Sequence, residues 1–217
     1  IVYLIDKPGT AQSVVQAALV VPPLQEGDEI ARQAFNTAFG GSFTSRLNMK
    51  LREEKGWTYG ARSAFGKTRG SRLLSIGAPG QSDKTAESMK EIATLLKQFT
   101  TDHRIGEPEV LAAKDLMSLG LSSAWSTSSG VAQYLTEQSA YRLPDDYYAL
   151  YPGNVAATTV EAVNAAGDAL IANRAITWLV VGDLAKIETA VRALGLGEVR
   201  VIDADAEPVR EVLSRLH

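Results

Sequence analysis

Arg52 and Tyr59 stand seven positions apart across a helix end, where they can face one ligand. By spacing alone, Arg52 reads more simply as a partner of Glu53 or Glu54, and Tyr59 as an ordinary strand residue. A guanidinium stays charged at any working pH and offers a rigid donor fork to carbonyl or carboxylate oxygens. A tyrosine hydroxyl can donate to an oxygen on which negative charge develops. Such a pair can assist a reaction but cannot start one. The groups that could start one are missing or badly placed. The only histidines, His103 and His217, are not spaced as a ligand pair on one helix, and neither H-x-x-E-H nor H-E-x-x-H occurs. No metal ligand is therefore assigned, and His103 beside Asp102 reads as a helix-end surface pair. The chain has no cysteine, which removes thiol catalysis, disulfides and cysteine-bound metal.

Two weaker motifs also fail on inspection. Gly66-Lys67-Thr68 matches the end of a phosphate loop, but the leading glycine would fall at Ala61, and the segment reads as a hairpin loop. Gly40-x-Ser42-x-Thr44 approaches a nucleophile elbow but lacks its last glycine and follows a helix instead of a strand. Ser42 reads as a helix cap. Tyr147, Tyr148 and Tyr151 could line a pocket, although packing onto the core is the simpler reading.

The elements that must position Arg52 and Tyr59 follow from pattern. Ile1–Asp6 and Ser13–Val21 read as strands separated by Lys7-Pro8-Gly9. Glu26–Phe39 carries Ile30, Ala34, Phe35 and Ala38 on one helical face and stops at Gly40-Gly41. Phe43, Leu47 and Leu51 recur at four-residue steps and define a second helix, with Ser42 as its N-cap and Gly56 just past its end. Tyr59–Phe65 and Arg72–Ala78 flank a five-residue loop and read as a hairpin, with Tyr59 on the first strand.

Past Pro79-Gly80 the pattern turns helical: Asp83–Asp102, Glu107–Ser123 with Pro108 in its first turn, Ser129–Tyr141, and Val160–Ala172 opened by a Thr158-x-x-Glu161 capping box. Ala175–Val181, Leu184–Leu194 and Glu198–Ile202 read as strand, helix and strand. The expected class is α+β: a mixed, largely antiparallel sheet with helices packed on it. Residues 1–217 are expected to form one domain, cut from a longer protein because the chain opens on Ile1 directly in a strand.

Composition adds exclusions. The 217 residues carry a net charge of −3, with 45% hydrophobic and 22% charged residues, the balance of a globular domain without a basic field for nucleic acid. No apolar run approaches the roughly 18 residues of a membrane helix.

The segment GGSFTSRLNMKLREEKGWTY, Gly40 to Tyr59, resembles the C-terminal, non-catalytic domain of the pitrilysin (insulinase-type) zinc metallopeptidases, which include the mitochondrial processing peptidase and bacterial zinc proteases. Ile1–Pro8 looks like the opening strand of such a domain. Leu143–Tyr148, Val155–Val163 and Ala175–Asp183 look like its closing half. Gly40–Phe43 is similar to a shortened form of the glycine-rich stretch in the processing peptidase's non-catalytic subunit.

The resemblance implies the processing-peptidase type of fold. It further implies that Arg52 and Tyr59 bind an extended peptide substrate across a chamber from a zinc-bearing catalytic domain, on the same polypeptide or a partner chain. This chain itself would bind no cofactor. Long bacterial members suggest a periplasmic location, with the cytoplasm as the alternative. Two other functions compete: an assembly subunit of the same fold without peptidase activity, like the core proteins of respiratory complexes, and a stand-alone peptide-binding module.

Overall fold

The computed structural model describes residues 1–24, 28–172 and 174–209. Six strands form one sheet: β1 (Val2–Asp6), β2 (Gln12–Val21), β3 (Arg62–Phe65), β4 (Arg72–Gln81), β5 (Thr177–Gly182) and β6 (Val199–Ile202), in the spatial order β3-β4-β2-β5-β1-β6. The pairings β3/β4, β4/β2 and β2/β5 are antiparallel, while β5/β1 and β1/β6 are parallel. The class is α+β with a mixed sheet, as the pattern predicts, and strands from both ends of the sequence meet in it.

Alternation decides which face is covered. Val2 and Leu4 on β1, Val15, Ala17 and Leu19 on β2, Leu74 and Ile76 on β4, and Trp178 and Val180 on β5 are register partners and are all buried. The helices pack on that face: α1 (Glu29–Asn36), α3 (Thr85–Phe99), α4 (Glu107–Trp125), α7 (Val160–Ile171) and α8 (Leu184–Ala193). The other face carries a row of apolar residues, Ile5, Val181, Val14 and Pro79, aligned across β1, β5, β2 and β4. That row is half-buried to exposed.

Under the sheet Phe35, Phe39 and Phe99 form an aromatic core, with Phe35–Phe99 and Phe39–Phe99 edge-on at 5.4 and 5.2 Å. Gly167 of α7 lies so close to Phe35 that a Cβ there would stand 2.4 Å from the ring.

Several sequence readings need correction. Pro79-Gly80 does not end β4. Pro79 falls between the end of the β3 ladder at Gly77 and the Thr58–Gly80 bridge, so it is paired only with β2, where proline is tolerated. The helix expected over Asp83–Asp102 is shorter, a single 3-10 turn (Ser82–Lys84) leading into α3. The cap of α7 is Thr159, whose hydroxyl accepts from the Ala162 N–H at 3.2 Å, while Thr158 bonds back to the Asn154 carbonyl. His217 lies outside the described residues.

Between the ends of the sheet the chain forms α4, α5 (Ser128–Tyr141) and α6 (Tyr147–Ala157). Tyr147 and Tyr148 cluster here, edge-on at 5.1 Å, and Tyr148 meets Tyr134 at 4.7 Å. The pocket reading holds for Tyr147 alone, which borders a cavity of about 680 Å³ with Leu24, Ile30, Leu143 and Pro144. Tyr147, Tyr148 and Tyr151 are all half-buried, outside the main core. Burial, and after it the charge of Glu137, pushes the Tyr148 hydroxyl above its ordinary value of 10. Burial does the same to Tyr151.

A raised folded value means that the unfolded chain ionises first. This contribution to stability is therefore complete below about pH 10 and is lost as pH rises beyond it. Thermal melts followed by circular dichroism should show a drop in Tm above that pH, and Tyr148→Phe should shrink the drop. An unchanged alkaline limb in Tyr148→Phe would remove the tyrosine as its cause.

Candidate functional site

The site segment is built from two wide helical turns. α1 runs on through a π-helical turn, Thr37–Gly41, and α2 (Arg46–Asn48) runs on through another, Met49–Glu54, which carries Arg52. Single π turns inside helices recur at functional sites. The sequence pattern alone predicts plain α-helices here and starts the second one too early. Leu47 and Leu51 are fully buried, but Phe43 lies outside the helix with 53% of its surface exposed. The N-cap position belongs to Ser45, not Ser42.

The glycines of the first turn have a steric role. A Cβ on Gly40 would stand 2.4 Å from Ser63 Oγ and 2.9 Å from the Ser63 backbone N. Glycine thus lets this turn lie against the edge strand β3. Asn36 completes the seal, donating to the Ser63 carbonyl at 3.3 Å and accepting from the Ser63 hydroxyl at 2.7 Å. At the opposite end of the sheet, Val209 N–H bonds to the Val201 carbonyl at 3.0 Å and covers β6. Overpacking of this kind costs about 1–3 kcal/mol. Gly40→Ala should accordingly lower the urea midpoint of the chain, and an unchanged midpoint would show that the contact is looser than described.

The second helix stops by a glycine cap. Gly56, at φ 65°, turns the chain, its N–H bonding to the Arg52 carbonyl at 3.0 Å and the Trp57 N–H to the Leu51 carbonyl at 3.0 Å. Thr58 then bridges to Gly80 of β4. Its hydroxyl sits between the carbonyls of Gly60 and Pro79 and accepts from the Gly60 N–H at 3.0 Å. Ala61 N–H bonds to Asn48 Oδ1 at 3.1 Å.

Tyr59 therefore stands at the tip of a turn fixed on both flanks. It precedes β3 instead of lying on it, because Thr58 bridges β4 at Gly80 and Ala61 N–H turns to Asn48, so residues 59–61 bulge between that bridge and the β3 ladder. Its side chain is 88% exposed, and its hydroxyl makes no hydrogen bond among the described residues. A small cavity of about 200 Å³ opens beside it, lined by Gln12, Trp57, Thr58 and Gln81.

Arg52 is placed differently. Its guanidinium lies over the exposed Phe43 ring, 4.8 Å from the centroid, and its Nε is 3.4 Å from Glu53 Oε1. Glu54 is occupied by Lys50 at 2.7 Å and Lys55 at 3.3 Å, and these ammonium groups hold its carboxyl below the usual range. No hydrogen bond joins Arg52 to Tyr59; the two flank the Gly56 turn separately. An exposed pair such as Arg52–Glu53 is worth only about 0–1 kcal/mol, so it does not lock the guanidinium away from a ligand.

The discounted motifs are structural where the described residues include them. Lys67 pairs with Glu137, and Arg69 donates to the Ala140 carbonyl, so the Gly66–Ser71 loop docks on α5. His103 pairs with Asp102 at 3.7 Å on the surface. Among the described residues no group of three His, Asp or Glu is placed to hold a metal ion, and no helix is long and apolar enough to cross a membrane. Sequence reasoning missed Phe43 and Asn48. An asparagine in mid-helix, where it competes with the backbone, is the signal that could have flagged the second.

Residues 1–117 match the family described as the peptidase M16 inactive domain, and the chain belongs to that family. No curated protein sequence matches it. Its fold is similar to the peptidase M16 inactive domain from Pseudomonas fluorescens, at 22% identity and TM-score 0.74, over 83% of this chain and 42% of that one. A protease from Helicobacter pylori superposes with TM-score 0.75 at 19% identity, over 83% and 43% of the two chains. A chain of complex III from Candida albicans superposes with TM-score 0.70 at 12% identity, over 88% and 48%. This chain thus spans less than half the length of each of these three.

Proposed function

We propose that residues 1–217 are one domain of a larger zinc metalloendopeptidase and form its non-catalytic, substrate-binding half. The observation that carries this reading is Tyr59, an exposed phenol with an unused hydroxyl, presented on a turn pinned from both sides. Zinc and a general-base glutamate would belong to a catalytic domain of the same polypeptide or a partner chain. They would supply the attacking water. The described residues of this chain offer no ligand set for that ion, so the role assigned here is binding and charge stabilisation.

In this reading the substrate is an extended peptide. Its strand pairing falls to the catalytic domain, since Asn36 and Gly40 cover the β3 edge here. Tyr59 O–H would donate to a carbonyl oxygen near the scissile bond as charge develops on it. Arg52, presented by Phe43, would hold a neighbouring carbonyl or carboxylate. The open sheet face supports a larger assembly, because parallel strands such as β5-β1-β6 are ordinarily covered on both sides.

One observation favours a second reading, an assembly subunit without peptidase activity: Arg52 already has partners in Glu53 and Phe43. Peptide hydrolysis by the complete protein, measured with and without Tyr59→Phe, separates the two. The substrate-binding reading expects activity that depends on Tyr59; absence of any hydrolysis supports the subunit.

A further inference from the structure

The geometry points to Asn48 as the positioning residue that holds both halves of this site in register. It rests on the substrate-facing reading of Arg52 and Tyr59. Asn48 is 3% exposed and uses both ends of its carboxamide on backbone groups. Its Nδ2 donates to the Phe43 carbonyl at 2.7 Å, and its Oδ1 accepts from the Ala61 N–H at 3.1 Å. One side chain therefore ties the loop entering the second helix to the loop leaving it.

The two tied loops carry the two functional parts. Phe43 is the surface on which the Arg52 guanidinium lies, at 4.8 Å. Ala61 is two residues beyond Tyr59, and the intervening Gly60 comes close enough that a Cβ there would stand 3.8 Å from Asn48 Oδ1. The partners fix the orientation of the amide, since a carbonyl needs a donor and an N–H needs an acceptor. Among side chains of this volume only asparagine supplies both from two separate atoms that can reach opposite loops. Aspartate lacks the donor and leucine lacks both. Asn48 touches no substrate in this arrangement; it acts through Phe43 and through the Tyr59 turn.

A double-mutant cycle in the complete peptidase tests this. Asn48→Ala should lower kcat by about tenfold with KM changed little, the scale expected for misplacing a catalytic contact by a fraction of an ångström. In the Tyr59→Phe background the same change should lower kcat by clearly less, because only the share that runs through Phe43 and Arg52 is left to lose. Equal losses in both backgrounds would make Asn48 a merely structural residue and overturn the inference.

If Asn48→Ala does not fold, the isosteric Asn48→Asp keeps the acceptor for Ala61 and loses the donor to Phe43. Its kcat loss should vanish in the Arg52→Ala background and persist in the Tyr59→Phe background; the same loss in all backgrounds overturns the inference. If Tyr59→Phe alone leaves kcat unchanged, the substrate-facing reading fails first and the positioning role fails with it.

Discussion

If the complete protein hydrolyses peptides as proposed, Tyr59→Phe is expected to lower kcat at least tenfold, about 1.4 kcal/mol of barrier, while leaving KM and thermal stability almost untouched. The separation follows from where the hydroxyl sits. It makes no hydrogen bond among the described residues, and the side chain is 88% exposed, so the folded domain loses nothing when it is removed. Surface changes of this type stay within about 0.5 kcal/mol of wild type.

A donor aimed at developing negative charge, by contrast, is worth about 3 kcal/mol in the transition state. The pinned turn matters here. A donor that must be ordered during the reaction contributes less than one already held in place, and Thr58, Gly60 and Ala61 hold the backbone on both sides of Tyr59. An interaction made only in the transition state lowers kcat and kcat/KM together. A rise in KM at constant kcat would instead make Tyr59 a uniform binding residue, and no change in either would remove it from the site.

How much of this was legible in the sequence varies with the kind of signal. The strand and helix order could be read because apolar periodicity reports burial on one face. The predicted face of α1, Ile30, Ala34, Phe35 and Ala38, is buried as expected. Periodicity also misled, at Phe43. A four-residue repeat assumes one unbroken helix, but the second helix begins only at Arg46, so Phe43 precedes it while Leu47 and Leu51 keep the buried phase. Nothing local in the sequence announces a π turn, since it arises where α1 and β3 are brought together and Gly40 must clear Ser63.

Tyr59 could be found by type and spacing but not by element. Its departure from the strand is decided by Asn48 and Gly80, residues 11 and 21 positions away. The family block was the strongest single signal, and the family match over residues 1–117 includes it. The distribution of roles within the block had to come from coordinates, because tertiary contacts decide which of its polar residues are spent on structure.

The largest stability effect is expected from a residue that plays no part in the chemistry. Arg72, at the start of β4, is 2% exposed and grips Glu29 of α1 with two bonds, Nη2–Oε2 at 2.7 Å and Nη1–Oε1 at 3.1 Å. Glu29 is itself buried, at 9% side-chain exposure. Breaking such a pair from one side leaves a charge in a dry environment, a cost of about 3–5 kcal/mol. Arg72→Ala also takes a donor from the Pro22 carbonyl, 3.2 Å away, and a cation from the face of Phe65.

Three features soften the loss. Gln33 Nε2 still donates to Glu29 at 2.8 Å, Arg32 Nη1 stays 3.8 Å from Glu29 Oε2, and the carboxylate stands in the first turn of α1, where the helix dipole favours it. The lower end of the range, about 3 kcal/mol, is therefore the expected outcome in urea denaturation. Against a typical domain stability of about 5–15 kcal/mol this is a large fraction. The joint change Arg72→Met with Glu29→Met should recover part of that loss, since apolar side chains of similar volume replace the buried pair at little net cost while Arg32 loses its carboxylate partner. Recovery distinguishes a desolvated charge from a lost packing contact: if the double variant is no more stable than Arg72→Ala, the pair contributes through shape and not through charge. Because α1 leads through its π turn into the Gly40 contact with β3, loosening this pair should also raise hydrogen exchange at Ser63 before it alters the Tyr59 turn, which Asn48 and Gly80 hold independently.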